Sequence, residues 1–350
     1  MKIALVYSSK EGLLKEFKSR HGRDITQDEI PVDFFAEGDS PDTIQAIIQA
    51  LESKGHQVTG IEADQLLNYQ LNGFRPELVF NIAEGLFGDF RESFVPMICE
   101  KFNLPYTGSD PLTLALCLNK ARTKELLTYY GIPNAPFKIF TLQDKISLEG
   151  FEFPAIVKPI SEGSSKGIFN DSVVENLSQA GKRIREKIAK YQQPVILEKF
   201  LTGDEYTVAI WGNGDEIEVL PIVAIQYSSL PQEAHPIYSY EAKWVWDTPD
   251  NPLEIFQCPA PLAATKKRKI EKVVCDAYKV LQIRDWCRID VRLDESGIPN
   301  ILELNPLPGI LPNPEDNSCF PKAARTAGYD YAGMLNRVVE FAAKRHGMKI

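Results

Sequence analysis

The chain has 350 residues, 44% hydrophobic and 25% charged, so it can bury a sizeable core and has room for two or three lobes. Its formal net charge of -9 argues against an extended nucleic-acid footprint, and no stretch has the length and apolarity of a membrane span. Six cysteines without paired CxxC spacing and four scattered histidines give neither a disulfide framework nor a zinc signature; they suit reduced thiols in a cytoplasmic protein.

Residues 3–7 read as a short strand, without the apolar core and cleavage site of a signal peptide. Residues 18–39 are polar and charged, a long connection that predicts either a mobile surface segment or a functional loop. Ser40-Pro41-Asp42 is a helix start, with serine as N-cap, proline in the first turn and an acid at the positive end of the dipole. Ile44, Ile47, Ile48 and Leu51 form its apolar stripe, and Gly55 ends it. With strands over 57–61 and 78–81, the first third predicts a doubly wound parallel sheet flanked by helices.

A helix over 120–130 stops at Gly131-Ile132-Pro133. Strands follow over 137–140, 155–158, 195–199, 206–211 and 218–225, with a helix over 173–191. Residues 228–252, rich in Pro, Tyr and Trp, read as a long loop. The basic run Lys266-Lys267-Arg268-Lys269 opens an amphipathic helix and reads as its solvated end. A final helix spans 332–345.

Two adjacent strands near the end carry the most informative chemistry. Arg288-Ile289-Asp290 and Ile301-Leu302-Glu303-Leu304-Asn305 flank the turn Asp294-Glu295-Ser296-Gly297, and their aliphatic alternation is interrupted at positions that share one face. Asp290, Glu303 and Asn305, with Arg288 beside them, are the hard oxygen donors and the cation that a Mg²⁺–triphosphate site needs. Upstream, Lys158 ends a strand at Pro159 and is followed by Ser161-Glu162-Gly163-Ser164-Ser165-Lys166-Gly167. Such a Gly/Ser loop serves either as a plain strand connection or as a cradle of backbone N–H groups for phosphate. The strand 195–201 runs into Glu198-Lys199, with Glu205 just beyond; backbone groups there can meet a purine edge, and an acid can reach a ribose.

In combination and in this order, Lys120, Lys158, Glu162-Gly163-Ser164-Ser165, Glu198, Glu205, Tyr240-Glu241-Ala242-Lys243, Arg288, Asp290, Glu303 and Asn305 resemble the ATP-grasp superfamily. Leu104-Pro105-Tyr106-Thr107-Gly108-Ser109, Asn119-Lys120 and Pro321-Lys322-Ala323-Ala324-Arg325-Thr326-Ala327-Gly328 narrow the likeness to the D-alanine–D-alanine ligase group, over residues 106–328. The resemblance implies an α/β ATP-grasp fold: an N-terminal doubly wound lobe (1–117) and two α+β lobes (118–199 and 200–350) clamping ATP. Lys120, Lys158, Lys243 and Arg288 would contact phosphates and Ser165 the nucleotide. Glu198 would face the adenine amino group near the backbone of Lys199 and Leu201, and Glu205 would take the ribose. Asp290, Glu303 and Asn305 would hold two Mg²⁺ ions, with Mn²⁺ able to substitute. Arg288, Ser164 and Lys243 are the catalytic candidates. The implied reaction is amide formation through an acyl phosphate, on small-molecule substrates, by a cytoplasmic homodimer that binds neither nucleic acid nor membrane.

Departures from the group fall on the substrate side. The glycine-rich start with an amine-binding glutamate is replaced by Tyr7-Ser8-Ser9-Lys10-Glu11-Gly12, where Glu11 is the remaining acid. Trp244 stands where the group commonly has tyrosine, and an indole donates but cannot accept a hydrogen bond. Pro308-Gly309 is retained, but residues 310–317 form a longer loop before Ser318, the position of a serine that would hold the second substrate's carboxylate. The expectation is a carboxylate–amine ligase whose preferred pair is not two D-alanines. Authentic cell-wall D-alanyl-D-alanine synthesis and a nucleotide-binding scaffold without turnover are the competing readings.

Overall fold

The structure is a computed structural model that describes residues 1–21, 32–247 and 253–349. Of the two connections singled out in the sequence, residues 22–31 and 248–252 lie outside the described part.

The chain opens with β1 (Lys2–Tyr7), α1 (Lys10–His21), α2 (Pro41–Glu52), β2 (Gln57–Glu62), α3 (Leu67–Phe74) and β3 (Leu78–Asn81). The three strands form a parallel sheet in the order β2-β1-β3. Alternation along β1 explains the double winding: Ile3 and Leu5 pack with Ile47 and Leu51 of α2, whereas Ala4 and Val6 pack with Leu67 and Leu71 of α3. Ser40 caps α2 by accepting from Thr43 N–H at 3.1 Å. The sequence reading missed α1, in which Leu13 and Phe17 are the buried residues over 10–20, one helical turn apart in a largely polar segment.

Helices α4 (Phe94–Phe102), α5 (Pro111–Leu118) and α6 (Lys120–Tyr129) lead to β4 (Phe137–Phe140), β5 (Ala155–Pro159), β6 (Val173–Val174), α7 (Leu177–Tyr191) and β7 (Val195–Lys199). These strands make an antiparallel sheet in the order β4-β7-β5-β6. Val157, Val195 and Leu197 face Ala180, Ile184 and Ile188 of α7. The two-residue period therefore sends Ile156, Lys158, Ile196 and Glu198 to the opposite face. The helix expected over 173–191 begins only at Leu177, because Val173 and Val174 pair with Ile156 and Ala155 and Asn176 supplies the N-cap.

The third sheet is built from β8 (Glu205–Asn213), β9 (Glu216–Val219), β10 (Val223–Ile225), β11 (Phe256–Gln257), β12 (Trp286–Leu293) and β13 (Pro299–Asn305). The strand expected over 218–225 is split. β9 and β10 pair with successive parts of β8, but Pro221 has no N–H to give, and three residues there oppose two on β8. α8 (Ala264–Val280) covers one face through Ile270, Val274, Ala277 and Tyr278. α9 (Cys319–Thr326) and α10 (Tyr331–Arg345) return to the first sheet, where Met334, Leu335 and Val338 share a core with Ile3 and Phe80. Arg345 clasps Asp285 at 2.8 Å, and Asp285 accepts from Gly108 N–H at 2.7 Å, so the end of the chain ties the first lobe to the third. Among the described residues no helix is long and apolar enough to cross a membrane.

Candidate active site

The face of β12 turned away from α8 carries Arg288 and Asp290, and Asn305 and Glu303 lie directly opposite them on β13. A register shift after Asp290 returns Ile301 to the core without disturbing that pairing. The guanidinium of Arg288 donates to both carboxylate oxygens of Asp290, at 3.1 and 3.0 Å, and stands 3.6 Å from Glu303. Lys120, at the start of α6, reaches across from the second lobe to Glu303 at 3.3 Å. Burial disfavours the Glu303 charge, but Lys120, Arg288 and Lys158 outweigh it and hold the carboxyl at about 2. Burial, opposed by Arg288 and reinforced by Glu303, pushes Asp290 up from its ordinary value. Burial also works against Arg288, yet Asp290 and Glu303 raise it further.

Among the described residues no set of three His, Cys, Asp or Glu side chains could hold a metal ion by itself. Two facing carboxylates and the Asn305 amide, whose Nδ2 is buried without a hydrogen-bond partner, nevertheless fit Mg²⁺, which takes one or two carboxylates and completes its shell with phosphates and water.

Across the cleft, Glu198 is fully buried between Lys158 at 3.0 Å and Lys124 at 3.6 Å. Burial opposes its charge, but the two lysines keep its pKa below the ordinary carboxylate value. Its Oε1 accepts no hydrogen bond among the described residues, which leaves a buried acceptor on a residue that lines the cleft. The Lys199 side chain turns outward to Glu152 at 2.8 Å, so Lys199 meets the cleft through its backbone, beside buried Leu201. Glu205 pairs with Arg292 at 2.9 Å, and the guanidinium stacks 4.6 Å from the Phe200 ring. Burial raises the Glu205 pKa despite Arg292.

The 161–167 loop arches over the gap between these two walls. Ser164 and Ser165 are both left-handed, with φ of 50° and 60°, a conformation costing roughly 1–3 kcal/mol per residue unless its surroundings impose it. Ser165 Oγ donates to the Tyr238 carbonyl at 2.8 Å, and the Trp244 indole N–H donates to the Ser164 carbonyl at 3.4 Å. The N–H groups of Ser164 and Ser165 find no acceptor among the described residues. Gly167 has φ of 73°, and a Cβ there would meet Pro159 Cγ at 2.3 Å, so only glycine closes the loop. Lys243 projects its ammonium into the cleft; burial and Arg288 lower its pKa.

The resulting cleft of about 350 Å³ draws residues from the second and third sheets and from segments 36–43 and 82–92 around the first. It gathers Lys120, Lys158, Ser164, Ser165, Glu198, Lys199, Leu201, Glu205, Lys243, Trp244, Arg288, Asp290, Glu303, Asn305, Gly309 and Ser318. Ser318 Oγ donates to Gly309 O at 3.0 Å and accepts from Leu311 N–H at 3.1 Å, so it also ties down the 309–318 loop. Glu11 is the exception: it is exposed in the first turn of α1, outside the cleft, because that helix directs Leu13 and Phe17 inward.

Other acids line the cleft. Asp39, Glu84 and Glu92 line the first lobe's end of the cleft beside Lys10. Burial, with Glu37 and Glu92 adding to it, lifts Glu84 well above the carboxylate range; burial lifts Asp39 and Glu92 to about 7. Among the described residues neither Glu84 nor Glu92 has a hydrogen-bond or ion-pair partner. The sequence reading missed them, although Asn81-Ile82-Ala83-Glu84 was a legible signal. In an open parallel sheet, ligands bind beyond the carboxyl ends of the strands where the order reverses, here between β1 and β3.

Three sheets, with a Gly/Ser loop opposite a carboxylate-bearing hairpin, are the architecture of an ATP-grasp ligase. Comparison with known proteins gives the family. The family described as D-ala D-ala ligase C-terminus matches residues 126–340. The D-alanine–D-alanine ligase of Actinobacillus succinogenes is 31% identical over 303 residues, 85% of this chain and 91% of that protein. That of Mannheimia succiniciproducens is 32% identical over 304 residues, with the same two shares. The uncharacterized protein y4sG of Sinorhizobium fredii is 32% identical over 309 residues, 86% of this chain and 87% of that one. In three dimensions, the D-alanine–D-alanine ligase of Bacillus anthracis complexed with ATP superposes with a TM-score of 0.73, 20% identity and 99% of both chains covered, a likeness of fold. The chain belongs to the D-alanine–D-alanine ligase family, and so to the ADP-forming carboxylate–amine ligases.

Proposed function

We propose that the enzyme joins two amino acids, or close relatives of them, through an acyl phosphate, and that its preferred pair is not two D-alanines. The observation that carries this is the division of the cleft. One end of the cleft gathers the charges expected to meet nucleotide and metal, Lys120, Lys158, Lys243, Arg288, Asp290 and Glu303, whereas the other is lined by Asp39, Glu84, Glu92, Trp244 and residues of the 309–318 loop.

ATP is assigned to the space between β5–β7 and the β12–β13 hairpin. The buried free oxygen of Glu198 suits the adenine amino group, and Glu205 the ribose. The open N–H groups of Ser164 and Ser165, with Lys120, Lys158 and Lys243, suit the phosphates. Asp290, Glu303 and Asn305 would hold Mg²⁺, which supplies positive charge against the repulsion between a carboxylate and a triphosphate. Arg288 is placed to stabilise charge on the transferring group and then on the tetrahedral adduct. Glu84 and Glu92, without a partner among the described residues, suit the ammonium of the carboxylate donor, and Ser318 with Gly309 the acceptor. Loop 161–167 and the residues leading to Trp246 shield the acyl phosphate from water.

The test is phosphate release in the presence of ATP, Mg²⁺ and an amino-acid mixture. A ligase releases phosphate and forms amide in equal amounts, only when both substrates are present. A scaffold releases none, and a carboxylate kinase needs no amine. The homodimer also stands as a proposal, supported by exposed Phe90, Phe94, Met97 and Leu112 on adjoining elements; light scattering at micromolar concentration decides it.

A further inference from the structure

The segment 32–39, part of the long connection the sequence left without a role, is bound to the phosphate loop rather than to solvent. Glu37 accepts from Gly163 N–H at 2.9 Å and from Arg91 at 3.2 Å, and lies 3.2 Å from Lys166. Asp33 accepts from Gly167 N–H and from the Tyr191 hydroxyl, both at 2.7 Å, and the Tyr240 hydroxyl donates to the Val32 carbonyl at 3.0 Å. The side chains of Glu37 and Lys166 are each 2% exposed, so these charges compensate one another out of water. Lys166, the one basic side chain of the loop, is thereby taken up by Glu37 and by Glu162 at 2.7 Å and is not free for phosphate.

Both ends of the segment are fixed. Phe34 and Phe35 pack edge-on against Phe17 of α1, at 5.0 and 5.9 Å between centroids. Asp39 pairs with the end of β1 through Asp39 N–H to Ser8 O at 2.8 Å and Lys10 N–H to Asp39 O at 3.2 Å. The contacts fall on Gly163 and Gly167, which flank the strained Ser164–Ser165 pair, while the N–H groups of that pair stay open. A Cβ at Gly163 would lie 2.6 Å from Glu37 Oε1, so the approach also requires that glycine.

We propose that the 32–39 segment is a latch built into the first lobe, in which Glu37 and Asp33 are positioning residues that hold the 161–167 loop in its phosphate-covering conformation. This rests on the assignment of that loop to ATP. Because the latch is anchored beside the donor end of the cleft, it ties loop closure to the lobe that receives the donor. Its loss leaves the acyl phosphate open to water.

Two readouts separate positioning from plain stability. Amide hydrogen exchange of peptides covering 161–168, with Mg²⁺ and a non-hydrolysable ATP analogue, needs neither substrate and does not depend on the ligase reading. The ratio of phosphate released to amide formed then reports coupling. Glu37→Gln removes charge-assisted bonds and is expected to speed loop exchange roughly 10- to 100-fold, with exchange in α7 and α10 unchanged. Phosphate released per amide formed rises with it. Tyr240→Phe deletes one outer bond of the latch; it keeps the test open if Glu37→Gln fails to fold, and is expected to shift both readouts the same way by a smaller factor. Unchanged loop exchange and unchanged coupling in whichever variant folds would overturn the latch.

Discussion

Replacing Glu303 by glutamine probes the hairpin most sharply, because one atom exchange alters charge with little change of shape. Glu303 faces Asp290 across the ladder and pairs with Lys120 at 3.3 Å and Arg288 at 3.6 Å. A carboxyl held at about 2 instead of its ordinary 4.5 contributes roughly 3 kcal/mol to folding at neutral pH. Solvent screening at a side chain one quarter exposed reduces this to about 2 kcal/mol. The folded pKa is depressed, so this contribution is present above pH 4.5 and fades as pH falls toward 2. Glutamine should therefore lower the melting temperature by roughly 3 °C at pH 7, leaving a folded enzyme. Turnover should fall far more, roughly 100-fold or beyond, because the proposed Mg²⁺ site loses a charged ligand. Initial rates of phosphate release across a Mg²⁺ series, beside thermal melts, measure both effects. Near-wild-type Mg²⁺-dependent turnover in the folded variant would refute the metal assignment.

Arg288→Ala should lower the maximal rate roughly 10²- to 10³-fold with a smaller change in the KM for ATP; an effect confined to that KM would mean Arg288 only binds nucleotide. Glu92, raised to about 7 by burial, is charged only above that pH. With the acceptor saturating, kcat/KM for an ammonium-bearing donor should rise toward neutral pH and level off above it, and Glu92→Gln should flatten the profile and raise the donor KM roughly tenfold while sparing that for ATP. A wild-type profile flat from pH 6 to 8, or one unchanged by Glu92→Gln, would remove Glu92 from donor recognition.

The half of the cleft proposed for nucleotide was legible because its charges interrupt regular patterns. Arg288 and Asp290, like Glu303 and Asn305, sit two residues apart in otherwise aliphatic strands, so periodicity alone puts each pair on one face. The N-capped α2 and the three parallel strands were legible for similar reasons, each being encoded within a few residues. Contacts between distant parts of the chain were not. Asp33 meets Gly167 from 134 residues away and Glu37 meets Gly163 from 126, contacts that only the packed lobes create. Lys124, buried beside Glu198, lies in a helix where nothing in the sequence sets it apart from its charged neighbours Lys120, Arg122 and Glu125. Glu11 is the acid nearest the expected place in sequence, but the crevice beyond β1 and β3 is lined by Glu84 and Asp39.

The most direct test of the central claim is a screen of amino-acid pairs, both enantiomers, with ATP and Mg²⁺, read by phosphate release and by product mass. The rebuilt donor end predicts equal phosphate and amide for a pair other than two D-alanines, with D-alanine alone a poor substrate. Efficient D-alanyl-D-alanine formation, better than any other pair, would contradict the claim.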